Sequence, residues 1–247
     1  MDDMLEAHPP QPGGLLLTPE LGDVGISCKI DRIADGASLE WATRTAQRFE
    51  CFVQHGYAEQ GDGTRGLNTA AIVDPKGNLL GRYTKVHPFS FGGETKYYQR
   101  GERLLMADLG GMQVCPMICY DLRFPELWRL ARRAGAEVFT IGASWPSTRT
   151  AHWRALLVAR AIENQAWVIA CNRTGSDPHL SYDGSSMIVS PLGDILTEGG
   201  HEPTMLQAEL DPEMQKEWRN AMRCQDDAED RFLGAIEIDR ASSEQRG

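Results

Sequence analysis

Short apolar runs alternate with segments of helical periodicity along most of this chain, and that alternation limits the possible folds more than any other feature. The run over residues 14–18 is short and continuous, which predicts a strand buried on both faces. Apolar residues keep helical spacing over residues 38–54, which predicts a helix capped by Ser38 and stopped by Gly56. Alternating strands and helices are typical of layered α/β domains.

The same criteria predict the rest of the chain. Residues 67–74 and 79–85 form a hairpin, because turn-forming residues occupy 75–78. The other predicted elements are strands over 112–118, 137–142, 168–171, 185–189 and 195–196, and helices over 125–134, 150–165 and 212–223. No repeat or low-complexity block divides the sequence, so we predict one domain over residues 1–247 with a peripheral tail over 212–247.

Charge and cysteine usage exclude several classes of protein. The chain has 35 acidic residues against 25 lysines and arginines, a net charge of −10, which disfavours nucleic acid or an anionic membrane as a partner. No run approaches the roughly 20 apolar residues that span a bilayer. The acidic, proline-rich start is not a secretory signal. The six cysteines lack the spacing of a disulfide scaffold, which predicts reduced thiols in a cytoplasmic protein.

One cysteine stands where a buried strand meets a helix. The strand over 112–118 runs directly into Cys119, and Pro125 opens the next helix. This position would place the thiol near backbone N–H groups and a helix N-terminus, which favour a thiolate and can stabilise an oxyanion. Alternatively, Cys119 is a small buried apolar side chain, the commoner fate of a free cysteine.

Two charged residues close other apolar strands. Glu20 follows the run over 14–18, and Lys85 ends the strand over 79–85. Such a residue is exposed, paired or functional, because an unpaired buried charge is costly. Taken singly, Glu20 would be a solvated loop carboxylate and Lys85 a surface lysine. Together with Cys119 they supply a general base, a cation and a nucleophile.

Three segments in this order resemble the nitrilase superfamily of carbon–nitrogen hydrolases, whose signature is a Glu–Lys–Cys triad from three strand ends. They are LLLTPELG (15–22), GRYTKVHPF (81–89) and ICYDLRFPEL (118–127). The segment over 143–175 is similar to the omega-amidase-like branch, which deamidates small 2-oxo acid amides. The resemblance covers roughly residues 14–211.

The resemblance implies a role for each matched residue. Glu20 would take the proton of Cys119, while Lys85 and the backbone N–H of Tyr120 would stabilise the tetrahedral oxyanion. Glu94 occupies the place of a second family glutamate and would orient Lys85 or the substrate; otherwise it is a surface carboxylate. The cycle would be covalent and two-step, without metal or cofactor.

Other residues near the motifs are candidates for substrate binding. They are Tyr120, Trp145, Arg123, Phe91 and Asn172. Trp145 would line the pocket or pack in the core. Arg123 suits a substrate carboxylate through paired hydrogen bonds, or it makes a structural salt bridge. His87 and His152 are interpreted as structural histidines, and Cys115 with Cys119 lacks the second ligand pair of a zinc site.

The family fold is a four-layer α-β-β-α sandwich, and its members commonly form homodimers. Family chains open with a strand and a full helix before the glutamate strand, whereas 13 residues precede Gly14 here, with 2–7 as the last helical turns. The resemblance therefore implies that the first strand is absent, which would expose unpaired edges. A version extended upstream by about 25 to 30 residues is expected to melt at a higher temperature.

Three functions follow as hypotheses. The leading one is omega-amidase-like hydrolysis of a small, carboxylate-bearing amide. A second is nitrilase or N-carbamoyl amino acid hydrolase activity within the same superfamily. A third is a non-catalytic scaffold inactivated by the short N-terminus; the complete set of Glu20, Lys85 and Cys119 argues against it.

Overall fold

The first of two large β-sheets carries Glu20 and Lys85 at its strand ends. The computed structural model describes residues 1–27, 29–34, 36–229, 231 and 234–242. The strands of this sheet are β1 (Leu15–Leu17), β2 (Phe52–Gln60), β3 (Gly66–Val73), β4 (Leu79–Thr84) and β5 (Tyr98–Gln99). Their order is β1-β2-β3-β4, with β5 parallel to the start of β3. The second and third strands form an antiparallel pair, as do the third and fourth.

The second sheet carries Cys119. The remaining strands in chain order are β6 (Arg103–Leu109), β7 (Met112–Ile118), β8 (Val138–Ala143), β9 (Trp167–Asn172), β10 (Thr174–Ser176), β11 (Ser181–Asp183), β12 (Met187–Val189), β13 (Ile195–Glu198) and β14 (Glu237–Ser242). The sheet has the order β13-β12-β9-β8-β7-β6-β14, and β10 pairs with β11 separately. Because β7, β8 and β9 are parallel, their carboxyl ends share one edge, where the site lies.

Helices cover the outer face of each sheet. They are α1 (Asp2–Ala7), α2 (Ile30–Ile33), α3 (Ala37–Phe49), α4 (Pro125–Arg133), α5 (Thr150–Asn164) and α6 (Pro212–Ala221). Ala42 and Ala46 of α3 pack on the first sheet. Trp128 of α4 and Trp153 of α5 pack on the second. The layers therefore follow the α-β-β-α order that the resemblance implies.

The inner faces of the two sheets share one apolar core. Ile72 on β3 and Leu105 on β6 belong to the same buried cluster and are 0% and 2% exposed. Burying a side chain of this size contributes roughly 2 kcal/mol. The sheets approach so closely that a Cβ on Gly81 would lie 2.6 Å from the Leu105 side chain. Among the helices of the described ranges, none has the length and apolar character needed to cross a membrane.

Several predicted elements are confirmed. The hairpin forms because the buried carboxylate of Asp74 accepts the N–H groups of Lys76 and Asn78 within the turn. The strand over Met112–Ile118 has the predicted bounds, and Pro125 opens a helix that stops before Gly135. A helix over Asp2–Ala7 also forms as predicted.

The helix predicted over 38–54 is wrong at both ends. Gly36, not Ser38, is its N-cap, and the Ser38 hydroxyl donates to the Asp23 carboxylate. The helix ends at Phe49 because Glu50 adopts a left-handed conformation with φ 51°. The segment after Cys51 is strand β2, and Gly56 lies inside that strand.

Two further expectations need correction. The first strand was predicted to be buried on both faces, but Leu15 and Leu17 are half-buried and only Leu16 is buried. Strands β5, β6, β10 and β11 were not predicted. The segment after Asp211 contributes structure, since α6 places Met214 against the cluster that contains Trp167, and β14 pairs in parallel with β6.

Candidate active site

Three strand ends bring a carboxylate, an ammonium and a thiol to one cavity. Glu20 lies three residues after β1, Lys85 follows β4 directly, and Cys119 follows β7 directly. The three residues are 3%, 1% and 9% exposed, so neither Glu20 nor Lys85 is a surface residue. They line a cavity of about 720 Å³ together with Glu94. The structure therefore brings together all four residues that the sequence predicts as the reacting set.

Lys85 is held between the two carboxylates. Its Nζ lies 2.7 Å from Glu20 Oε1 and 2.8 Å from Glu94 Oε2. Burial by itself lowers the pKa of Lys85, but the two carboxylates outweigh burial and raise this pKa well above its ordinary value. The ammonium therefore stays charged inside the protein, and Glu94 orients it rather than forming a surface carboxylate.

Two hydrogen-bond donors that the sequence did not suggest also bind the Glu20 carboxylate. The Asn68 amide donates from Nδ2 to Glu20 Oε1 at 2.8 Å and to Glu94 Oε1 at 2.9 Å. The backbone N–H of Ser144, just past β8, donates to Glu20 Oε2 at 3.0 Å. A polar asparagine inside the otherwise apolar strand β3 is the local feature that could have drawn attention to Asn68. The Ser144 donor could not be predicted in this way, because every residue except proline has a backbone N–H.

The turn that carries the thiol is fixed by a buried carboxylate. Asp121, 0% exposed, accepts the N–H groups of Ile118 at 3.2 Å and His87 at 2.9 Å. It also accepts the Tyr83 hydroxyl at 2.7 Å and lies 2.9 Å from Nδ1 of His87. The backbone φ of Cys119 is 44°, in the left-handed region that non-glycine residues rarely adopt. These bonds hold that strained turn in place.

The environment of Cys119 keeps its thiol protonated. Burial and the Glu20 carboxylate raise the pKa of Cys119 well above its ordinary value, and Lys85 only partly opposes them. The expectation that the elbow favours a thiolate is therefore wrong. The turn over Cys119–Arg123 is a short 3-10 helix. Glu20 and Cys119 line the same cavity, so a carboxylate that can accept the thiol proton is close by.

Three of the five predicted binding residues line the cavity. They are Tyr120, Arg123 and Trp145. Phe91 is 90% exposed and is not among the described lining residues, whereas its neighbour Phe89 is. Asn172 lies behind the wall, where its Oδ1 accepts the N–H of Trp145 at 2.7 Å and its Nδ2 donates to the Trp145 carbonyl at 3.2 Å.

The two candidate histidines make structural contacts. His87 bonds to Asp121 and stacks on Phe124 with ring centroids 3.6 Å apart. Nδ1 of His152 lies 3.3 Å from Nη2 of Arg123. No group of three His, Cys, Asp or Glu side chains within the described ranges is placed to hold a metal ion.

Two glycines allow the strand end that carries Glu20 to pack closely. A Cβ on Gly142 of β8 would lie 2.7 Å from the Thr18 carbonyl oxygen. A Cβ on Gly56 of β2 would lie 2.5 Å from the Pro19 carbonyl oxygen. Both distances are shorter than real Cβ contacts, so glycine at these positions sets where Glu20 sits.

This arrangement can perform acyl transfer. A carbonyl carbon in the cavity would meet the Cys119 sulfur, with Glu20 as proton acceptor and the Lys85 ammonium beside the developing oxyanion.

Comparison with known proteins gives independent information. Residues 3–220 match the family model described as carbon-nitrogen hydrolase. A 2-oxoglutaramate amidase from Bacillus subtilis is 37% identical over 217 residues, which cover 86% of this chain and 84% of that protein.

Solved structures agree with the fold. A CN-hydrolase superfamily protein from Xanthomonas campestris, with an arsenic adduct in its active site, has a TM-score of 0.86 and 29% identity. The match covers 94% of this chain and 91% of that one. A variant amidase from Nesterenkonia sp. AN1, with the acetamide moiety of fluoroacetamide added to its active site cysteine, has a TM-score of 0.71 and 28% identity. That match covers 76% of this chain and 74% of that one.

Proposed function

The chain belongs to the carbon–nitrogen hydrolase family and is an amidase hydrolase, and we propose that it converts a small, carboxylate-bearing amide to the acid and ammonia through a thioester on Cys119. The observation that carries this proposal is the meeting of Cys119, Glu20 and Lys85 in one cavity, where Lys85 Nζ lies 2.7 Å from Glu20 Oε1. A buried thiol with a raised pKa needs a base to take its proton, and Glu20 is the base of this proposal.

The first half of the cycle forms the thioester. The Cys119 sulfur attacks the amide carbon while its proton moves to Glu20, and the carbonyl electron pair moves to oxygen. The Lys85 ammonium and the backbone N–H of Tyr120 stabilise the resulting oxyanion. The carbon–nitrogen bond then breaks, and Glu20 returns the proton to the departing nitrogen, which leaves as ammonia.

The second half restores the enzyme. A water molecule attacks the thioester carbon and gives one proton to Glu20. The carbon–sulfur bond breaks, the sulfur recovers its proton from Glu20, and the product leaves as the acid. One amide and one water are consumed, and one acid and one ammonia are formed. Glu94 and Asn68 hold Lys85 and Glu20 in position during both halves of the cycle.

Two comparisons support this assignment. The Bacillus subtilis relative is a 2-oxoglutaramate amidase, whose name denotes an amide that also carries a carboxylate. The Nesterenkonia structure shows covalent addition at an active site cysteine. Both properties are those of the relatives, and their transfer to this chain is the proposal.

The test measures ammonia release and trapping of the acyl group. The wild-type chain should release ammonia from succinamate, and mass spectrometry after rapid quenching should find the acyl group on the peptide that contains Cys119. Cys119→Ala should abolish both signals. Cys224→Ala is a matched control, because this half-buried thiol lies in the C-terminal segment and does not line the cavity. Ammonia release by Cys119→Ala at the wild-type rate would contradict the proposal.

The same assay separates the alternatives. A nitrile and an N-carbamoyl amino acid are supplied in parallel with the amide. If ammonia is released faster from the nitrile or the N-carbamoyl amino acid than from the amide, that compound is the better model of the substrate, and Cys119 is still the proposed nucleophile. No ammonia from any of the three would favour a non-catalytic scaffold.

A further inference from the structure

A buried arginine on α5 binds the turn that carries Cys119. Arg160 is 4% exposed, and it donates to the Leu122 carbonyl from Nε at 3.2 Å and from Nη2 at 2.8 Å. Leu122 belongs to the 3-10 turn that begins with Cys119, and it is fully buried. Two donors of one guanidinium therefore converge on a single main-chain oxygen of the turn that carries the proposed nucleophile.

The other contacts of Arg160 hold its guanidinium in place. Its Nη1 pairs with the Glu163 carboxylate of the same helix at 2.8 Å. The guanidinium carbon lies 5.9 Å from the centroid of the Trp128 ring. The indole N–H of Trp128 donates to the Asp121 carbonyl at 3.1 Å. Helices α4 and α5 thus each supply one side chain that binds a carbonyl of the same turn.

A buried cation is a costly donor for a neutral carbonyl. Removing a charged group from water costs more than removing a neutral amide, and a neutral side chain could satisfy the same oxygen. The planar guanidinium differs from a neutral donor because two of its N–H groups point to one oxygen and so fix the direction of the carbonyl. The contact between Arg160 and Leu122 therefore restricts the orientation of the turn as well as satisfying its carbonyl.

Orientation matters at this turn because the backbone N–H of Tyr120 is an oxyanion donor in the proposed mechanism. The Asp121 carboxylate holds the start of the turn through the N–H of Ile118. The Leu122 carbonyl, which Arg160 holds, lies two residues after Tyr120. With both sides fixed, the peptide group that carries the Tyr120 N–H has little freedom to rotate. Arg160 is not among the described residues that line the cavity, so any effect on the reaction passes through the turn.

We propose that Arg160 is a positioning residue for the oxyanion of the reaction. By holding the Leu122 carbonyl, it keeps the Tyr120 N–H directed at the oxygen of the tetrahedral intermediate. A preorganised donor stabilises charge only when it points to the place where the charge develops. A change at Arg160 therefore weakens binding of the transition state more than binding of the substrate. This inference rests on the proposed amide hydrolysis and adds a residue that does not touch the substrate.

Steady-state kinetics with succinamate give the first test. Arg160→Gln loses the paired donors, so kcat should fall by about tenfold or more while KM stays close to its wild-type value. Arg160→Lys should show a similar loss, because it keeps the charge without the planar pair of donors. Arg132→Gln is the matched control, since the half-buried Arg132 of α4 donates to the Asn164 carbonyl at 2.9 Å and not to the turn. It should keep the wild-type kcat, and urea unfolding should show that each variant is folded in the assay.

Inhibitor binding gives a readout that a merely structural role would not change. The Cys119 sulfur can add to the aldehyde carbon of succinate semialdehyde, which forms a carbon–sulfur bond while the thiol proton moves to the former carbonyl oxygen. That oxygen occupies the oxyanion position, whereas succinate forms no such bond. Arg160→Gln should raise the Ki of succinate semialdehyde by about the factor by which kcat/KM falls, and leave the Ki of succinate unchanged. Arg132→Gln should change neither Ki.

The outcomes separate this proposal from the proposed function. Equal increases in both Ki values would overturn the positioning role, because Arg160 would then only maintain the shape of the cavity. Ammonia release that requires Cys119 but keeps its wild-type kcat in Arg160→Gln or Arg160→Lys would also overturn that role and leave the amidase proposal intact. Aldehyde binding at Cys119 that Arg160→Gln weakens, without ammonia release from succinamate by the wild-type chain, would contradict the amidase proposal and support the positioning role.

Discussion

The Asn68 amide donates to Glu20 at 2.8 Å, to the same Oε1 atom that accepts the Lys85 ammonium at 2.7 Å. Because Asn68 also donates to Glu94, one neutral side chain bridges the two carboxylates of the site. The position of Glu20 therefore depends on a residue that does not react.

Replacing Asn68 by Asp tests this dependence. A carboxylate at this position cannot donate to Glu20 or Glu94 and repels both, so the bridge is lost and Glu20 should shift away from Cys119. We expect kcat to fall by about a hundredfold with a smaller change in KM, because small misplacements at an active site are costly. Asn220→Asp, an exposed change of the same kind, is the control. Wild-type kcat in Asn68→Asp would show that the bridge does not position Glu20.

The buried pair of Tyr83 and Asp121 should contribute to stability. Tyr83→Phe removes a 2.7 Å hydrogen bond and should lower the free energy of unfolding by about 1–2 kcal/mol. Asp121→Ala leaves two backbone N–H groups and the buried Tyr83 hydroxyl without an acceptor, and should cost about 3 kcal/mol or more. Urea denaturation measures both, with Tyr97→Phe as the exposed control. Equal midpoints for Tyr83→Phe and Tyr97→Phe would contradict this ranking.

A methyl group on Gly142 should displace Glu20. The added Cβ would lie 2.7 Å from the Thr18 carbonyl and 3.1 Å from the Glu20 nitrogen, so the strand end that carries the base must move. We expect Gly142→Ala to lower kcat by about tenfold or more, since small misplacements of catalytic groups are costly. Gly200→Ala meets no atom within 4 Å and serves as the control. Wild-type kcat in Gly142→Ala would mean that the strand end tolerates the shift.

His55 should make stability fall in mild acid. Its ring is 2% exposed, and burial lowers its pKa from 6.5 to about 4. Between these values the unfolded chain binds a proton that the folded chain does not, so stability increases with pH over this window. The contribution is complete above about pH 6.5 and is lost as pH falls toward 4, by up to about 3 kcal/mol.

Urea unfolding across the same pH range measures this effect. His55→Gln should flatten the dependence, because glutamine does not titrate but can still bond to Thr18, which contacts Nδ1 of His55 at 2.9 Å. His8→Gln, at an exposed position, should keep the wild-type slope. If the stability of His55→Gln still increases with pH over this window, groups other than His55 cause the dependence.

Sequence reasoning worked best where the ends of elements carry chemical signals. Pro125 and Gly135 mark both ends of α4, and the turn over 75–78 fixes the hairpin. It failed at the end of α3, where the left-handed residue is Glu50 rather than glycine and the following residues fit either periodicity. The homodimer stays a prediction.

The same contrast holds for the site. Glu20, Lys85 and Cys119 each close an apolar strand, which made them candidates, and the three-segment resemblance supplied the roles predicted for them. The role of Asn68 depends on which elements meet in space. No local pattern marks an asparagine as a bridge between two distant carboxylates.

The positive φ of Cys119 is unfavourable for the stability of the fold, although the proposed chemistry requires a thiol at this position. Left-handed backbone disfavours any residue with a Cβ by about 1–2 kcal/mol, and glycine avoids that penalty. Mutation and selection for stability alone would move this position toward glycine. A cysteine at this position therefore lowers the stability of the fold, and in a descendant without the proposed activity Cys119→Gly would be a stabilising substitution.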